Sequence, residues 1–445
     1  MNSSLRAIPK IDKILQEKCF VEYNQKLLAK ITKEKIETLR AGIISKITQS
    51  VDYNKLVCDI DKAYAKVFEP SLKPLINATG VILHTNMGRS LISEDIIKRA
   101  MPVICNYSNL EYNLELGCRG ERYAHVSTHL KELLSVEDVL VVNNNASAVF
   151  LVLNTFAKNK EVVVSRGELV EIGGSFRIPE VMSQSGAILK EVGATNKTKL
   201  SDYENAIGEN TKMLMKVHQS NFTIEGFSED TPYEKLKELS VQNNMIDYYD
   251  LGSGYIPKLP YNLGQKEHSL MEILKYNPSL VSFSGDKLFG SVQSGIIVGK
   301  KELIDKLKKN QLLRMLRIDK ITLALLEESI KSYLKEEFDA IPTLSMLFAS
   351  VDELEKRALQ VQSKIGKEKC EVLQSETVMG GGTLPNRKFP TIVLHIKGKA
   401  DKLEREFRKK FIIGRIESDK FLLDFRSIQK RDIEKLIKIV DDSIS

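Results

Sequence analysis

Short continuous runs of apolar residues alternate with amphipathic segments between residues 75 and 335. Such runs are typical of strands buried on both faces, so this part of the chain predicts a mostly parallel sheet covered by helices. In sheets of this kind, ligand sites form at the carboxyl ends of the strands. The runs are Val139–Val142, Val162–Val164, Met213–Val217, Met245–Tyr249, Leu280–Phe283 and Ile296–Val298, with a weaker candidate at Ala187–Leu189.

The two flanking segments have different patterns. Residues 1–65 carry apolar positions at three- and four-residue spacing, which predicts a helical module. Pro70 and Pro74 mark the boundary that follows it, so we expect a large domain over 66–335. After residue 335 the turn Gly380–Gly382 and the runs Pro390–Leu394 and Phe421–Phe425 predict a smaller α/β domain over 336–445.

Cations lie between the apolar positions of the first module, and they allow two interpretations. They form either a solvated helix face or a surface that contacts RNA phosphates. The net charge of +7 is compatible with a polyanionic partner but does not demonstrate one. The cations are Lys26, Lys30, Lys33, Lys35, Arg40 and Lys46.

The remaining composition is that of an ordinary soluble protein, with 42% hydrophobic and 28% charged residues among 445. No signal peptide and no membrane-spanning run is predicted, so we expect no membrane association. The five cysteines are scattered without a C-x-x-C pair, which favours free thiols in a reducing cytoplasm.

Lys287 is the main candidate for chemistry. It follows the run Leu280–Phe283 and lies among small residues, where a pyridoxal phosphate enzyme carries the lysine that binds its cofactor. That chemistry needs a partly desolvated amine on a flexible stem. It also needs a close backbone, which we expect Gly285 and Gly290 to permit.

Three other strand ends fit the same cofactor. Asn145, Ala146 and Ser147 open a helix after a strand, and they form either an anion site or an ordinary cap. Asp250 would keep the pyridine nitrogen protonated, with Asp247 as the competing carboxylate. Gln293–Gly295 predicts a tight return into the next strand.

Six longer segments combine glycine, asparagine and arginine in specific stretches. They are Ile76–Arg89, Tyr107–Tyr112, Arg119–Tyr123, Ser165–Arg177, Ser284–Gly290 and Leu313–Lys320.

These segments resemble the bacterial selenocysteine synthases, which are L-seryl-tRNA(Sec) selenium transferases, over almost the whole chain. Ser147 is a mild departure, because the family usually has alanine there. The resemblance implies a fold type I (aspartate aminotransferase-like) pyridoxal phosphate enzyme with active sites between two subunits. It also implies a tRNA-binding N-terminal domain and a homo-oligomer built from dimers, a decamer by family resemblance.

The resemblance further implies that Lys287 carries pyridoxal 5′-phosphate and that Arg89, Arg314 and Arg317 line an anion-binding active site. The seryl amine of seryl-tRNA(Sec) would displace Lys287, which then removes the α-proton. Loss of the hydroxyl would leave an aminoacrylyl-tRNA that accepts selenium from selenophosphate. Without the resemblance, surface ion pairs are the favoured explanation for Arg314 and Arg317, which lie three apart on a predicted helix.

Other interpretations remain open from the sequence alone. A lyase or dehydratase of the same fold, acting on a small amino acid or amino sugar, and a noncatalytic tRNA-binding protein both compete with the selenium transferase. Glu168 and Glu171 orient a substrate or cap the following helix. The histidines lack the spacing of metal ligands, so we assign no metal.

Overall fold

A computed structural model describes residues 5–172, 176–219, 221–266 and 268–444 of the chain. The chain divides between Pro74 and Leu75 into two units, which are described separately below. Within the described ranges, no helix is long and apolar enough to cross a membrane.

Helices and strands are numbered in chain order. The helices are α1 (Ile11–Leu15), α2 (Gln25–Ile44), α3 (Tyr53–Phe68), α4 (Glu94–Ile104), α5 (Ala124–Leu134), α6 (Asn145–Phe156), α7 (Ile178–Ser185), α8 (Leu200–Ala206), α9 (Tyr233–Gln242), α10 (Leu270–Leu274), α11 (Lys301–Lys309), α12 (Lys320–Leu334), α13 (Pro342–Phe348), α14 (Val351–Ile365), α15 (Ala400–Lys409) and α16 (Ile433–Ile444). The strands are β1 (Ile76–Asn77), β2 (Tyr112–Asn113), β3 (Cys118–Arg119), β4 (Asp138–Val142), β5 (Glu161–Ser165), β6 (Glu171–Ile172), β7 (Phe176–Arg177), β8 (Ile188–Val192), β9 (Thr211–Val217), β10 (Ile246–Gly252), β11 (Leu280–Ser284), β12 (Gly295–Gly299), β13 (Cys370–Gly380), β14 (Thr383–Ile396), β15 (Ile412–Ile413), β16 (Arg415–Glu417) and β17 (Lys420–Asp424).

The first unit is helical, and its two long helices begin at side-chain caps. Asn24 accepts a hydrogen bond from the N–H of Leu27 at 3.0 Å, which caps α2. Asp52 caps α3 in the same way through the N–H of Lys55, also at 3.0 Å. These caps satisfy backbone donors that have no partner within the helix. A small apolar core then joins the helices through residues that include Ile14, Phe20, Leu28, Leu56 and Ile60.

A seven-stranded sheet of the described residues forms the centre of the second unit, in the order β4-β12-β11-β10-β9-β5-β8. Five strands, from β11 to β8 in that order, run parallel to their neighbours, while β12 is antiparallel to both β11 and β4. The predicted α/β fold with a mostly parallel sheet is therefore confirmed. All seven apolar runs of the sequence are strands of this sheet.

Helices cover both faces of the central sheet, which explains why its strands are continuously apolar. On one face, α6 packs through Val149, Val152 and neighbouring residues against Val162 and Met215. On the other face, α5, α9 and α12 pack against residues that include Leu214, Val281 and Val298. Consecutive residues of one strand therefore face different helices.

The segment after residue 335 contains a second sheet, in the order β13-β14-β17-β16, whose pairs are antiparallel. The helices α14, α15 and α16 contribute Leu354, Phe407 and Leu436 to the core on this sheet. The short strand β1 pairs with β15, so the chain immediately after the unit boundary belongs to this region of the second unit.

Asp247 is a buried carboxylate at the start of β10, on the face covered by α9. Its oxygens accept hydrogen bonds from the hydroxyl of Tyr233 at 2.6 Å, from the ammonium of Lys237 at 2.8 Å, and from the N–H of Ser279 at 2.9 Å. Burial opposes ionisation, but the hydrogen bonds from Lys237, Ser279 and Tyr233 outweigh it and lower the pKa of Asp247. Asp247 therefore ties α9 to β10 and to the start of β11.

We expect Asp247→Asn to lower the free energy of unfolding by about 3–5 kcal/mol, because Lys237, which is mostly buried, would be left without its anion. Urea unfolding at neutral pH measures this loss, with the exposed Asp401→Asn as a control that stays within about 0.5 kcal/mol of the native chain.

The sign of the pH dependence follows from the lowered pKa of Asp247. The stabilisation by this carboxylate is complete above the pKa of an unfolded aspartate and is lost as the pH falls through the lower folded value. The difference in the free energy of unfolding between native protein and Asp247→Asn should therefore become smaller in acid. A difference that became larger in acid would contradict the assignment.

Candidate active site

Lys287 lies in a tight loop between β11 and β12, and only 6% of its surface is exposed. Backbone hydrogen bonds close this loop, from the N–H of Gly285 to the carbonyl of Ser294 at 2.9 Å and from the N–H of Gly290 to the carbonyl of Lys287 at 2.9 Å. The predicted return at Gln293–Gly295 is therefore present. It fixes the position of a buried amine at the carboxyl end of the sheet.

The two glycines beside Lys287 are required by packing within the protein, in addition to the reason expected from the sequence. A Cβ atom at Gly285 would lie 2.2 Å from the hydroxyl of Ser294, and one at Gly290 would lie 2.6 Å from a methyl carbon of Ile341. Gly290 also has a φ of +72°, which favours glycine. Both residues therefore let the rest of the protein pack closely against the lysine loop, and their role in making room for the cofactor stays a prediction.

Asp250 lies on the strand next to β11, on the face of the sheet that α6 covers. Its carboxylate accepts a hydrogen bond at 2.8 Å from the side-chain amide of Asn145. Burial raises the pKa of Asp250, while the hydrogen bond from Asn145 and the nearby charge of Lys287 act in the opposite direction. The structure thus brings Asn145, Asp250 and Lys287 together, whereas Asp247 faces α9 and contacts none of them.

The start of α6 combines the cap and the anion site that the sequence left as alternatives. Asn144 is the cap, and its side chain accepts a hydrogen bond from the N–H of Ser147 at 2.8 Å. The N–H of Ser147 is therefore already used. No described residue accepts a hydrogen bond from the N–H groups of Asn145 or Ala146, which leaves these two donors at the positive end of the helix dipole for an anion.

Pyridoxal phosphate fits this donor and acceptor set. Asp250 is a buried carboxylate whose charge is only partly compensated, which suits a protonated ring nitrogen. The side-chain oxygens of Asn143 and Asn145 are buried and accept no hydrogen bond from the described residues. The free backbone N–H groups of Asn145 and Ala146 at the start of α6 suit a phosphate, and Lys287 would supply the amine that binds the cofactor.

Arg89 approaches the lysine loop from the segment that follows β1. Its guanidinium donates to a carboxylate oxygen of Asp286 at 3.0 Å, directly beside Lys287 in the chain. Its own N–H donates to the carbonyl of His84 at 3.1 Å, in a turn that gives Arg89 a φ of +59°. Arg89 is therefore held at the lysine loop by a partner that the sequence did not indicate.

Arg314 and Arg317 do not share a helix, and that expectation was wrong. Arg314 ends a 3-10 turn over Gln311–Arg314, and Arg317 lies beyond it in a bridge with Val142. The N–H of Asn143 donates to the carbonyl of Leu316 at 3.1 Å, which pulls this segment towards the end of β4. Both arginines therefore lie on an irregular segment beside the Asn143–Asn145 turn.

Glu111 gathers three arginines in the same region. It accepts from Arg122 at 2.8 Å, from Arg317 at 3.2 Å and from Arg119 at 3.4 Å, and the hydrogen bond from Arg122 is the main reason that its pKa is lowered. Arg314 is exposed and has no carboxylate within 4 Å among the described residues. A cavity of about 400 Å³ lies there; its charged lining residues are Glu111, Glu121, Arg119, Arg122, Lys308, Lys309, Arg314 and Arg317.

The two glutamates of the Ser165–Arg177 segment have different partners, and neither caps the following helix. Glu168 is buried and pairs with Lys216 at 2.9 Å, while its other oxygen accepts from the N–H of Val217, also at 2.9 Å. Glu171 is exposed and pairs with Arg177 at 2.7 Å. Residues 173–175 of this segment lie outside the described residues.

Comparison with known proteins identifies the family. A family model described as L-seryl-tRNA selenium transferase matches residues 75–429. The chain is 57% identical over 442 residues to proteins of Aliarcobacter butzleri and of Sulfurimonas denitrificans, with 98% of each chain covered. Both relatives are named L-seryl-tRNA(Sec) selenium transferase.

A solved structure of D-glucosaminate-6-phosphate ammonia-lyase shares the fold. It has a TM-score of 0.61 at 17% identity, covering 86% of this chain and 98% of that one. Identity at that level concerns the fold alone, and it agrees with the expected fold type I architecture. The chain belongs to the L-seryl-tRNA selenium transferase family of pyridoxal phosphate-dependent transferases.

Proposed function

We propose that the protein replaces the β-hydroxyl of the seryl group of L-seryl-tRNA(Sec) by selenium, with selenophosphate as the donor. One observation carries this proposal. A buried amine, Lys287, lies beside the Asp250–Asn145 pair in a chain that matches selenium transferases along nearly its whole length.

Pyridoxal phosphate, when bound, supplies a carbonyl carbon for amines and a ring that accepts electrons from the substrate. Lys287 would hold the cofactor and then remove the proton from the α-carbon of the seryl group. Asp250 would keep a proton on the ring nitrogen, with Asn145 orienting the carboxylate. The free N–H groups of Asn145 and Ala146 would hold the phosphate. Ser147 stays part of the proposed phosphate site as a residue of the first turn of α6, although its own N–H is bonded to Asn144.

Arg89, Arg314 and Arg317 are assigned to an anion, either selenophosphate or the phosphates at the end of the tRNA. The substrate is an ester and carries no free carboxylate, so these arginines are not needed as a carboxylate clamp. Guanidinium groups bind phosphate oxygens through paired, charge-assisted hydrogen bonds. Positive charge exceeds negative charge among the residues around the cavity that Arg314 and Arg317 line, which supports this assignment.

The first unit is assigned to tRNA binding. Lys26, Lys30 and Lys33 are exposed along one face of α2, and no described carboxylate lies within 4 Å of them. Unpaired cations on a helix face suit the regularly spaced phosphates of RNA.

A homo-oligomer built from dimers, a decamer by family resemblance, is part of the proposal. Tyr107, Leu114, Leu116 and Met315 are each more than two-thirds exposed, although they are large and apolar. Three of these side chains lie within residues 107–116, and large apolar side chains exposed close together are typical of surfaces that a partner covers. We also infer a cytoplasmic location, which the five free cysteines support.

The native protein, incubated with seryl-tRNA(Sec) and selenophosphate, should convert the esterified serine to selenocysteine. In Lys287→Ala we expect this conversion to fall by at least about 10²–10⁴-fold, because the α-proton loses its base. Amino-acid analysis of the deacylated tRNA measures both, with the exposed Lys275→Ala as the control.

Borohydride treatment of the loaded native protein should leave a modified peptide spanning Gly285–Gly290. An unmodified peptide would contradict the role of Lys287. Persistent serine on the tRNA, together with turnover of a free amino acid, would support a lyase in its place.

Arg314→Ala and Arg317→Ala should each reduce selenium transfer by at least about 10-fold, because a charge-assisted hydrogen bond to an anion contributes roughly 1.5–3 kcal/mol. The absorbance of the bound cofactor should stay unchanged. Arg405→Ala, which removes an exposed guanidinium from α15, is the matched control. Native rates in both variants would remove the anion-binding role.

A triple variant, Lys26→Ala with Lys30→Ala and Lys33→Ala, should bind tRNA(Sec) more weakly, and the slope of log affinity against log salt should shrink by about 2. The control removes three cations from α15 by Lys402→Ala, Arg405→Ala and Lys409→Ala. Equal affinity and salt slope in both triple variants would show that α2 does not contact the tRNA. Deletion of the whole unit should end at Pro74, because an end at residue 65 would cut α3.

A further inference from the structure

A second cavity, of about 380 Å³, lies at the end of β9 in the second unit. Its lining includes Lys216, His218, Gln219, Phe222, Asn386 and Arg387, none of which has a role in the chemistry proposed above. The volume falls within the range of pockets that hold one small ligand.

The cavity lies at the same edge of the sheet as the cofactor residues. The backbone N–H of His218 donates to the backbone carbonyl of Asp250 at 2.9 Å, so the end of β9 that lines the cavity is joined to the strand that carries the proposed ring partner. In an aminoacyl-tRNA, a single ester links the reacting amino acid to the terminal ribose. When the seryl group lies at Lys287 and Asp250, the terminal nucleotide must therefore occupy a space next to it.

Lys216 is the most buried cation of this wall, and its charge is already neutralised. Its ammonium donates to Glu168 at 2.9 Å, to Asp230 at 2.8 Å and to the carbonyl of Thr231 at 3.0 Å. Burial acts to lower the pKa of Lys216, but the charges of Glu168 and Asp230 outweigh it and raise that pKa. This cluster builds a rigid wall and leaves ligand binding to other side chains.

Arg387 differs from Lys216, because no described carboxylate neutralises its charge. It is half-buried and lines the cavity, and no described carboxylate lies within 4 Å of its guanidinium. The preceding residue, Asn386, donates to the hydroxyl of Thr223 at 2.9 Å and so ties the start of β14 to the segment after β9. A planar, permanently charged group in this position suits a phosphate or the face of a base.

Phe222 adds an aromatic surface to the same cavity and is itself half-buried. Aromatic rings and guanidinium planes are the groups on which proteins stack single unpaired bases. We propose that this cavity is the subsite for the terminal adenosine nucleotide of the aminoacyl-tRNA, with Arg387 and Phe222 as its binding residues. The proposal rests on the proposed function, because it presupposes a tRNA ester as the substrate.

The test compares native protein with Arg387→Ala and Phe222→Leu, and uses Lys388→Ala as the matched control. Lys388 follows Arg387 in the chain but is exposed and pairs with Glu376 on the surface at 3.9 Å. We expect the KM for seryl-tRNA(Sec) to rise about 10-fold in Arg387→Ala and in Phe222→Leu, because stacking and charge on one nucleotide are lost. The absorbance of the bound cofactor, which reports folding of the site, should not change.

Adenosine 5′-monophosphate is the second probe. It should compete with seryl-tRNA(Sec) in the native protein and in Lys388→Ala, and its inhibition should weaken about 10-fold in Arg387→Ala. The proposal is overturned if the nucleotide does not compete, or if both cavity variants keep KM within about twofold of native. Native protein that forms no selenocysteinyl-tRNA would refute the proposed function, whereas native turnover with unchanged variants refutes the subsite alone.

Discussion

Two adjacent parallel strands, β10 and β11, end at the same edge of the sheet, and the proposed site depends on that alignment. Asp250 pairs in register with Ser282, and the chain turns immediately after Ser284 into the loop that carries Lys287. The carboxylate of Asp250 is therefore close enough to the amine of Lys287 for the charge of that lysine to act on the pKa of Asp250. The antiparallel strand β12 then closes the lysine loop from the other side through Ser294.

Side chains alternate between the two faces of a strand, so the two aspartates of β10 have different surroundings. Asp250 faces α6 and contacts Asn145, while Asp247 faces α9 and is surrounded by Tyr233, Lys237 and Ser279. Burial acts to raise the pKa of both carboxyls, but only Asp247 has enough hydrogen bonds to reverse its effect. One carboxylate is thus satisfied by the protein, and the other has capacity left for a cationic ligand.

The arginines described near the proposed site form two groups that differ in their partners. Arg89 is held by Asp286, and Arg317 shares Glu111 with Arg119 and Arg122. One carboxylate among three guanidinium groups leaves net positive charge, which raises the local concentration of anions. A small anionic donor and the phosphates of a nucleic acid would both be drawn to this side of the sheet.

The sequence by itself determined the strands of the central sheet and the place of Lys287 after one of them. Strands buried on both faces must be apolar throughout, so each of the seven runs was recognisable, and Lys287 follows its strand directly in the chain. The partly exposed β13 lacks such a run and was not predicted. The helix expected for Arg314 and Arg317 was wrong, because a bridge between Arg317 and Val142 holds that segment in an irregular conformation.

Only the tertiary structure decided which distant residues meet: Asn145 and Asp250 are 105 positions apart, Arg89 and Asp286 are 197 apart, and Glu111 and Arg317 are 206 apart. The pattern of apolar and polar residues within a segment indicates how that segment is buried. Which charged residues form pairs depends on how distant segments pack together.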